Sequence, residues 1–145
     1  MKVVIVFEST HHGNTKKLLD AIAAKYDVEL IDASKVDAVD YEYYDVIGFA
    51  SGVVYGKFYQ KVTYLAKSVP SGNKVFFIYS CGKNNKDYSK NIRTILEDKG
   101  CISLGTYGCI GFDTYGPMKL IGGINKGHPD EADIAGAVSF YASIL

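Results

Sequence analysis

The sequence predicts an α/β fold: a doubly wound three-layer sandwich around a five-stranded parallel sheet. Three observations carry that expectation. Short apolar, β-branched runs recur without in–out alternation, the pattern of strands buried on both faces. Between them lie stretches with apolar residues at helical spacing. Strand and helix alternate along the chain, which implies right-handed crossovers and helices on both sides of the sheet.

The elements follow in order. Lys2–Glu8 reads as the first strand, and Lys16–Lys25 as a helix burying Leu18, Leu19, Ile22 and Ala23. Val28–Ile31 is a short second strand, and residues 32–44 an acidic, tyrosine-rich loop whose Tyr41, Tyr43 and Tyr44 pack the sheet edge. Asp45–Ala50 is the third strand, Ser51–Lys57 a glycine-rich loop, and Phe58–Val69 a helix closed by Pro70. Lys74–Tyr79 is the fourth strand, Ser80–Asp87 a polar loop, and Tyr88–Lys99 a helix ended by Gly100. Cys101–Ile110 is the fifth strand, interrupted by Gly105 and Gly108. After a glycine-rich stretch, Pro129 opens the last helix at its first position, with Asp130, Glu131 and Asp133 where the helix dipole favours acids.

Composition narrows the function. The 145 residues fit one domain, 1–145, with 48% hydrophobic and 22% charged residues. Lys plus Arg and Asp plus Glu are 16 each, so there is no basic footprint for nucleic acid. Val3–Phe7, the longest apolar run near the N-terminus, is too short for a membrane span or a secretory segment. Cys81, Cys101 and Cys109 form no CxxC pair, which favours a reducing compartment and a cytoplasmic location.

In an open parallel sheet, ligands bind beyond the carboxyl ends of the strands, so the loops after strands one, three and four are the candidates. Ser9-Thr10-His11-His12-Gly13-Asn14-Thr15 ends a buried strand and opens a helix. Amides at a helix start bind anions, and three hydroxyls here exceed what capping by Asn14 or Thr15 requires. The loop is neither GxGxxG nor a Walker sequence.

Here the chain resembles the flavodoxin family, which carries [ST]-x-T-G-x-T directly after the first strand. Thr10-His11-His12-Gly13-Asn14-Thr15 matches at every fixed position except His12, where the family has Thr. The resemblance implies strand order 2-1-3-4-5 and FMN as cofactor, its phosphate on Ser9, Thr10, His11, His12, Gly13, Asn14 and Thr15. His12 is then expected to donate to the phosphate in place of the hydroxyl. A phosphate beside it favours the imidazolium, so FMN should bind more tightly at mildly acidic pH. No metal is expected, since His11 and His12 lack a third ligand at suitable spacing.

The family's second loop corresponds to Ser51, Gly52, Val53, Val54, Tyr55 and Gly56. The resemblance implies a glycine peptide near flavin N5, supplied by Gly52, and an aromatic ring on the isoalloxazine. Tyr55 is the first choice, with Phe58 and Tyr59 behind it. Ser80, Cys81 and Gly82 match the loop bracketing the pyrimidine edge, with Tyr88 as a second stacking residue. Cys81 has no neighbouring base to make it a nucleophile. The 111–128 stretch is long for its position and reads equally as a flavin-edge cap, a partner surface or packing.

The function implied is an FMN-binding electron carrier exchanging electrons with a redox protein or a small-molecule donor or acceptor, as a monomer or weak homodimer. The alternatives are an FMN-dependent NAD(P)H:acceptor oxidoreductase of quinone type and a non-flavin binding domain of the same fold. Charge bears on the choice. Residues 27–45 hold seven acids against one lysine, and 57–99 hold eight lysines and Arg93 against three acids, giving −6 and +6. Flavodoxins are typically acidic around the flavin. With fewer carboxylates there, a less negative second potential is expected, at about 59 mV for each ~1.4 kcal/mol.

Overall fold

Parallel pairing links five strands in the order β2–β1–β3–β5–β6: β1 (Val3–Glu8), β2 (Glu29–Asp32), β3 (Val46–Val54), β5 (Lys74–Cys81) and β6 (Ile102–Ile110). A sixth strand, β4 (Lys57–Phe58), folds back antiparallel on the end of β3. Without that short hairpin strand, the order is the expected 2-1-3-4-5. The structure is a computed structural model describing residues 1–114 and 116–145. Tyr115, within the 111–128 stretch, lies outside the described residues.

Alternation along each strand builds two cores. Val4, Val6, Ile47, Phe49, Val75 and Phe77 face the layer of α2 (Gln60–Ala66) and α3 (Lys90–Asp98). Val3, Ile5, Phe7, Phe76 and Ile78 face α1 (Asn14–Lys25) and α4 (Glu131–Ile144), which pack side by side. Phe76 and Phe77 are adjacent in sequence and fully buried on opposite faces, so truncating either to Ala costs about 3–5 kcal/mol.

The structure revises several boundaries. β3 continues through Ser51–Val54 because Ser51 and Gly52 still pair with Tyr79 and Ser80 of β5. The chain then reverses through Tyr55 (φ 52°) and Gly56 (φ 77°), two consecutive left-handed residues that suit the twist of a hairpin. The expected glycine-rich loop is therefore a β-hairpin, and Phe58 belongs to β4 rather than to a helix. β6 runs through both glycines; a one-residue register shift opposite Val75–Phe77 absorbs Gly105 as a bulge.

α1 starts at Asn14, earlier than the apolar spacing indicates, and Ala23 is exposed. Tyr41 is buried with its hydroxyl donating to the Leu65 carbonyl, Tyr44 is half-buried, and Tyr43 is exposed. At α4, Asp130 rather than Pro129 meets the helix start. Asp130 and Asp133 form a reciprocal capping box, leaving Pro129 outside the helix.

Candidate functional site

Parallel strands deliver the loops after β1, β3, β5 and β6 to one end of the sheet. There a cleft opens between them, lined by residues of all four. It lies at the point where the strand order reverses between β1 and β3.

The loop after β1 enters α1 through two left-handed residues, His12 (φ 56°) and Gly13 (φ 64°). Gly13 takes this conformation without steric cost, and His is among the side chains that tolerate it. Gly13 is the N-cap and supplies no side-chain cap. Instead Ser9 reaches across the turn, its Oγ accepting the Lys16 N–H at 3.0 Å. Ser9 keeps its own hydroxyl hydrogen to donate. Thr15 Oγ1 and Ser80 Oγ are 2.7 Å apart and buried, so one donates to the other and one hydrogen remains. Thr10 donates to the Tyr59 hydroxyl at 3.2 Å.

The 111–128 segment is fastened to this loop. The Thr114 N–H donates to His11 Nε2 at 3.1 Å, and His12 Nε2 meets Thr114 Oγ1 at 2.9 Å. The Asn14 amide donates to the Phe112 carbonyl at 2.8 Å, and the His12 ring lies 4.3 Å from the Phe112 ring. Asn125 donates to the Gly82 carbonyl at 2.6 Å, tying the same segment to the loop after β5. Packing on two loops of the cleft is thus what the described part of this segment does. Gly111, Phe112 and Asp113 become cleft wall, residues that no local motif singles out.

Asn14 is 6% exposed, and its Oδ1 is buried without a hydrogen-bond partner. Such an acceptor costs about 1–3 kcal/mol unless something supplies a donor.

His11 Nε2 accepts an amide hydrogen, so that nitrogen is unprotonated. Burial and the neighbouring His12 push its pKa below 6.5, against the pull of Asp113, whose Oδ1 is 3.4 Å away. Burial, with Asp113 second, pushes the Cys81 thiol up to about 12. Its Sγ faces the Cys109 carbonyl at 3.4 Å, consistent with a small wall residue rather than a nucleophile. Asp113 sits over Gly82, where a Cβ would collide with its carboxylate.

Of the residues expected from sequence, Ser9, His11, Asn14, Thr15, Gly52, Val53, Ser80, Cys81 and Gly82 line the cleft. Thr10, His12, Gly13, Val54 and Gly56 stand around it without lining it. Ser51 is buried and holds Tyr59, accepting its N–H at 3.0 Å. Tyr55 is 99% exposed at the hairpin tip, whereas Tyr59 lines the cleft. Tyr88 lies in the loop before α3 and braces it: its hydroxyl donates to the Lys83 carbonyl at 2.8 Å, and its ring meets Tyr79 edge-on. His128 pairs with Asp133 at 2.6 Å beside the α4 cap.

Fold and cleft together define a doubly wound α/β domain with a hydroxyl-rich loop and a helix start at its switch point. Residues 4–103 match the family model for the flavodoxin domain, and the chain belongs to that family. It is 38% identical to an uncharacterized protein of Methanocaldococcus jannaschii, covering 100% of this chain and 99% of that protein. Among solved structures it is similar to a flavodoxin from the domain Archaea, with a TM-score of 0.66 at 16% identity over 99% of each chain. It is also similar to a flavoprotein in complex with FMN from Lactobacillus acidophilus, with a TM-score of 0.58 at 19% identity over 74% of this chain and 92% of that one. No helix among the described residues is long and apolar enough to cross a membrane.

Proposed function

We propose that the protein binds FMN in this cleft and serves as an electron carrier. The observation that carries the reading is the pairing of an anion-accepting helix start with a buried orphan acceptor in one cleft. The Thr15 amide at the start of α1, the free hydrogen of Ser9 and the one remaining on Thr15 or Ser80 make a donor set suited to a phosphate. Asn14 Oδ1 lacks a protein donor, and a ribityl hydroxyl would supply one. Val53, Tyr59, Cys81 and Phe112 offer apolar surface for a ring system, and Gly52 and Gly82 leave the backbone open to its edge. These residues fit the cofactor.

FMN, when bound, supplies stepwise one-electron oxidation and reduction. The chain's part is to hold the phosphate at the α1 start, orient the ring between the β3 and β5 loops, and exclude water. Cys81 stays a neutral thiol and moves no proton. The family membership and the FMN complex of the Lactobacillus acidophilus flavoprotein support the cofactor, and the likeness to a flavodoxin from the domain Archaea supports the carrier.

The test is titration of the purified chain with FMN and with riboflavin. The expected result is a yellow one-to-one FMN complex and riboflavin binding weaker by about tenfold or more, because only FMN engages the α1 start. Failure to bind FMN overturns the cofactor assignment. Stopped-flow mixing of the complex with NADPH should give no rapid flavin reduction; rapid reduction would make the protein an oxidoreductase.

A further inference from the structure

The +6 segment does not form one face. Lys74 opens β5 at the far end of the sheet, where Lys99 also donates its ammonium to the Lys67 carbonyl. Arg93 is taken up by Asp87 and Glu97, at 2.6 and 3.3 Å. Lys57 instead follows the hairpin turn, and Lys83 and Lys86 stand in the loop after β5, at the cleft end. Lys119 and Lys126 join them from the loop after β6. All five are exposed, and none makes an ion pair among the described residues.

The carboxylates within these three loops are spoken for. Asp87 is held by Arg93, and Asp113 is turned into the cleft. Of the acids opening α4, in the α1 layer, Asp130 and Asp133 are engaged in its cap and Glu131 is exposed. Lys86 reaches toward the hairpin, its Nζ 3.9 Å from where a Gly56 Cβ would stand, and lies 5.5 Å over the Tyr88 ring. The cleft rim on the β3–β5–β6 side is therefore cationic.

Large apolar side chains stand among these lysines. Tyr55 is 99% exposed, and Leu120 and Ile121, in the 3₁₀ turn Gly116–Ile121, are 89% and 71% exposed. Leaving such groups in water has a cost that a covering surface recovers. Apolar tips among charges reproduce the anatomy of a protein interface, with an apolar centre and a polar rim. A small anion needs one pocket; here the charges spread over three separate loops.

We infer that this end of the molecule docks a small acidic redox protein, its carboxylates facing Lys57, Lys83, Lys86, Lys119 and Lys126 and its apolar surface covering Tyr55, Leu120 and Ile121. The inference rests on the carrier reading, since the rim surrounds the cleft assigned to FMN. Opposite charge steers the encounter and fixes the orientation that brings the partner over the cleft.

The test is fluorescence anisotropy of a labelled plant-type [2Fe–2S] ferredoxin, an acidic probe, titrated with the FMN-loaded chain; basic cytochrome c is the control. Saturable ferredoxin binding is expected at low ionic strength, weakened by about tenfold in about 0.3 M salt, with none to cytochrome c. The triple variant Lys57→Glu, Lys83→Glu, Lys86→Glu should weaken ferredoxin binding by about tenfold or more and gain affinity for cytochrome c. Lys74→Glu, one charge reversed at the far end, should leave it unchanged. No ferredoxin binding, or equal binding by the triple variant, would each overturn the docking surface. Visible absorbance separates the two readings. A yellow chain that ignores ferredoxin overturns the surface alone. A colourless chain with lysine-dependent ferredoxin binding supports the surface and overturns the cofactor.

Discussion

The loop after β1 and the hairpin after β3 border the same cleft but are held in opposite ways. The hairpin is local: two left-handed residues reverse the chain and β4 pairs back on β3. The β1 loop depends on residues about a hundred positions away, through His11, His12 and Asn14 to Phe112 and Thr114. One side of the cleft is therefore a self-contained unit whose tip stands free, and the other a joint between distant segments. A defect in the joint should spread to the cofactor; a defect at the tip should stay at the tip.

The largest effect expected is from Asn14→Ala. It leaves the Phe112 carbonyl without its donor and should cost about 1–3 kcal/mol of stability. It also removes the acceptor assigned to the ribityl chain, so FMN affinity should fall by about tenfold. Gly56→Ala strains a left-handed position where the added Cβ meets only the Lys86 ammonium at 3.9 Å, should cost about 1 kcal/mol, and should leave affinity nearly unchanged. Urea unfolding and FMN titration of both variants measure this; a larger affinity loss in Gly56→Ala would break the comparison.

Next is the choice between two tyrosines. Tyr59 lines the cleft, whereas Tyr55 is fully exposed. Tyr59→Ala should weaken FMN by roughly 0.5–1.5 kcal/mol beyond lost burial, and Tyr55→Ala by much less. The reverse order would return the ring contact to Tyr55, where the family resemblance puts it. Asp113 gives a third test. It is a carboxylate set into the cleft beside Gly82, in a chain whose charge balance leads one to expect few there. Asp113→Asn should raise the second one-electron potential by about 20–60 mV, the scale of roughly 0.5–1.4 kcal/mol. A potentiometric titration with no shift would place Asp113 out of reach of the flavin.

What was legible in the sequence follows the range of the interactions. Val3–Phe7 and Lys74–Tyr79 announce strands because burial on both faces writes itself into consecutive residues. Ser9–Thr15 announces an anion loop because its hydroxyls and glycine are adjacent. The hairpin was missed because Tyr55 takes a left-handed turn position that Asn or Asp usually fills, which hid the turn in Val54-Tyr55-Gly56-Lys57. Gly111, Phe112 and Asp113 were not separable from the rest of a long loop because their partners, Asn14, His11 and Gly82, are distant in sequence. The roles of Ser9 and Ser51 are side-chain bonds across seven and eight residues, which no periodicity reports.

The smallest effect expected is in pH dependence, and here the joint can be tested without a structural lesion. Folding lowers the pKa of His11 below 6.5, so the native state binds fewer protons there than the unfolded chain. Its contribution to stability is therefore largest above 6.5 and declines as pH falls below that value. Protonation removes the acceptor for the Thr114 N–H and leaves the nearby Asp113 as a partial substitute, which keeps the loss small. His128 has the opposite sign: its bond to Asp133 raises its pKa, so its contribution is full below 6.5 and lost as pH rises through the folded value. His11→Gln should flatten the acid side of a stability profile, and His128→Gln the neutral-to-alkaline side. FMN affinity then separates the paired histidines. If His12 donates to the phosphate, affinity rises toward pH 5.5 and His12→Ala abolishes the rise. If the joint through His11 dominates, affinity falls toward pH 5.5 and His11→Gln removes the fall. Because His12 turns toward Phe112 and Thr114, and His11 lines the cleft, the second outcome is expected.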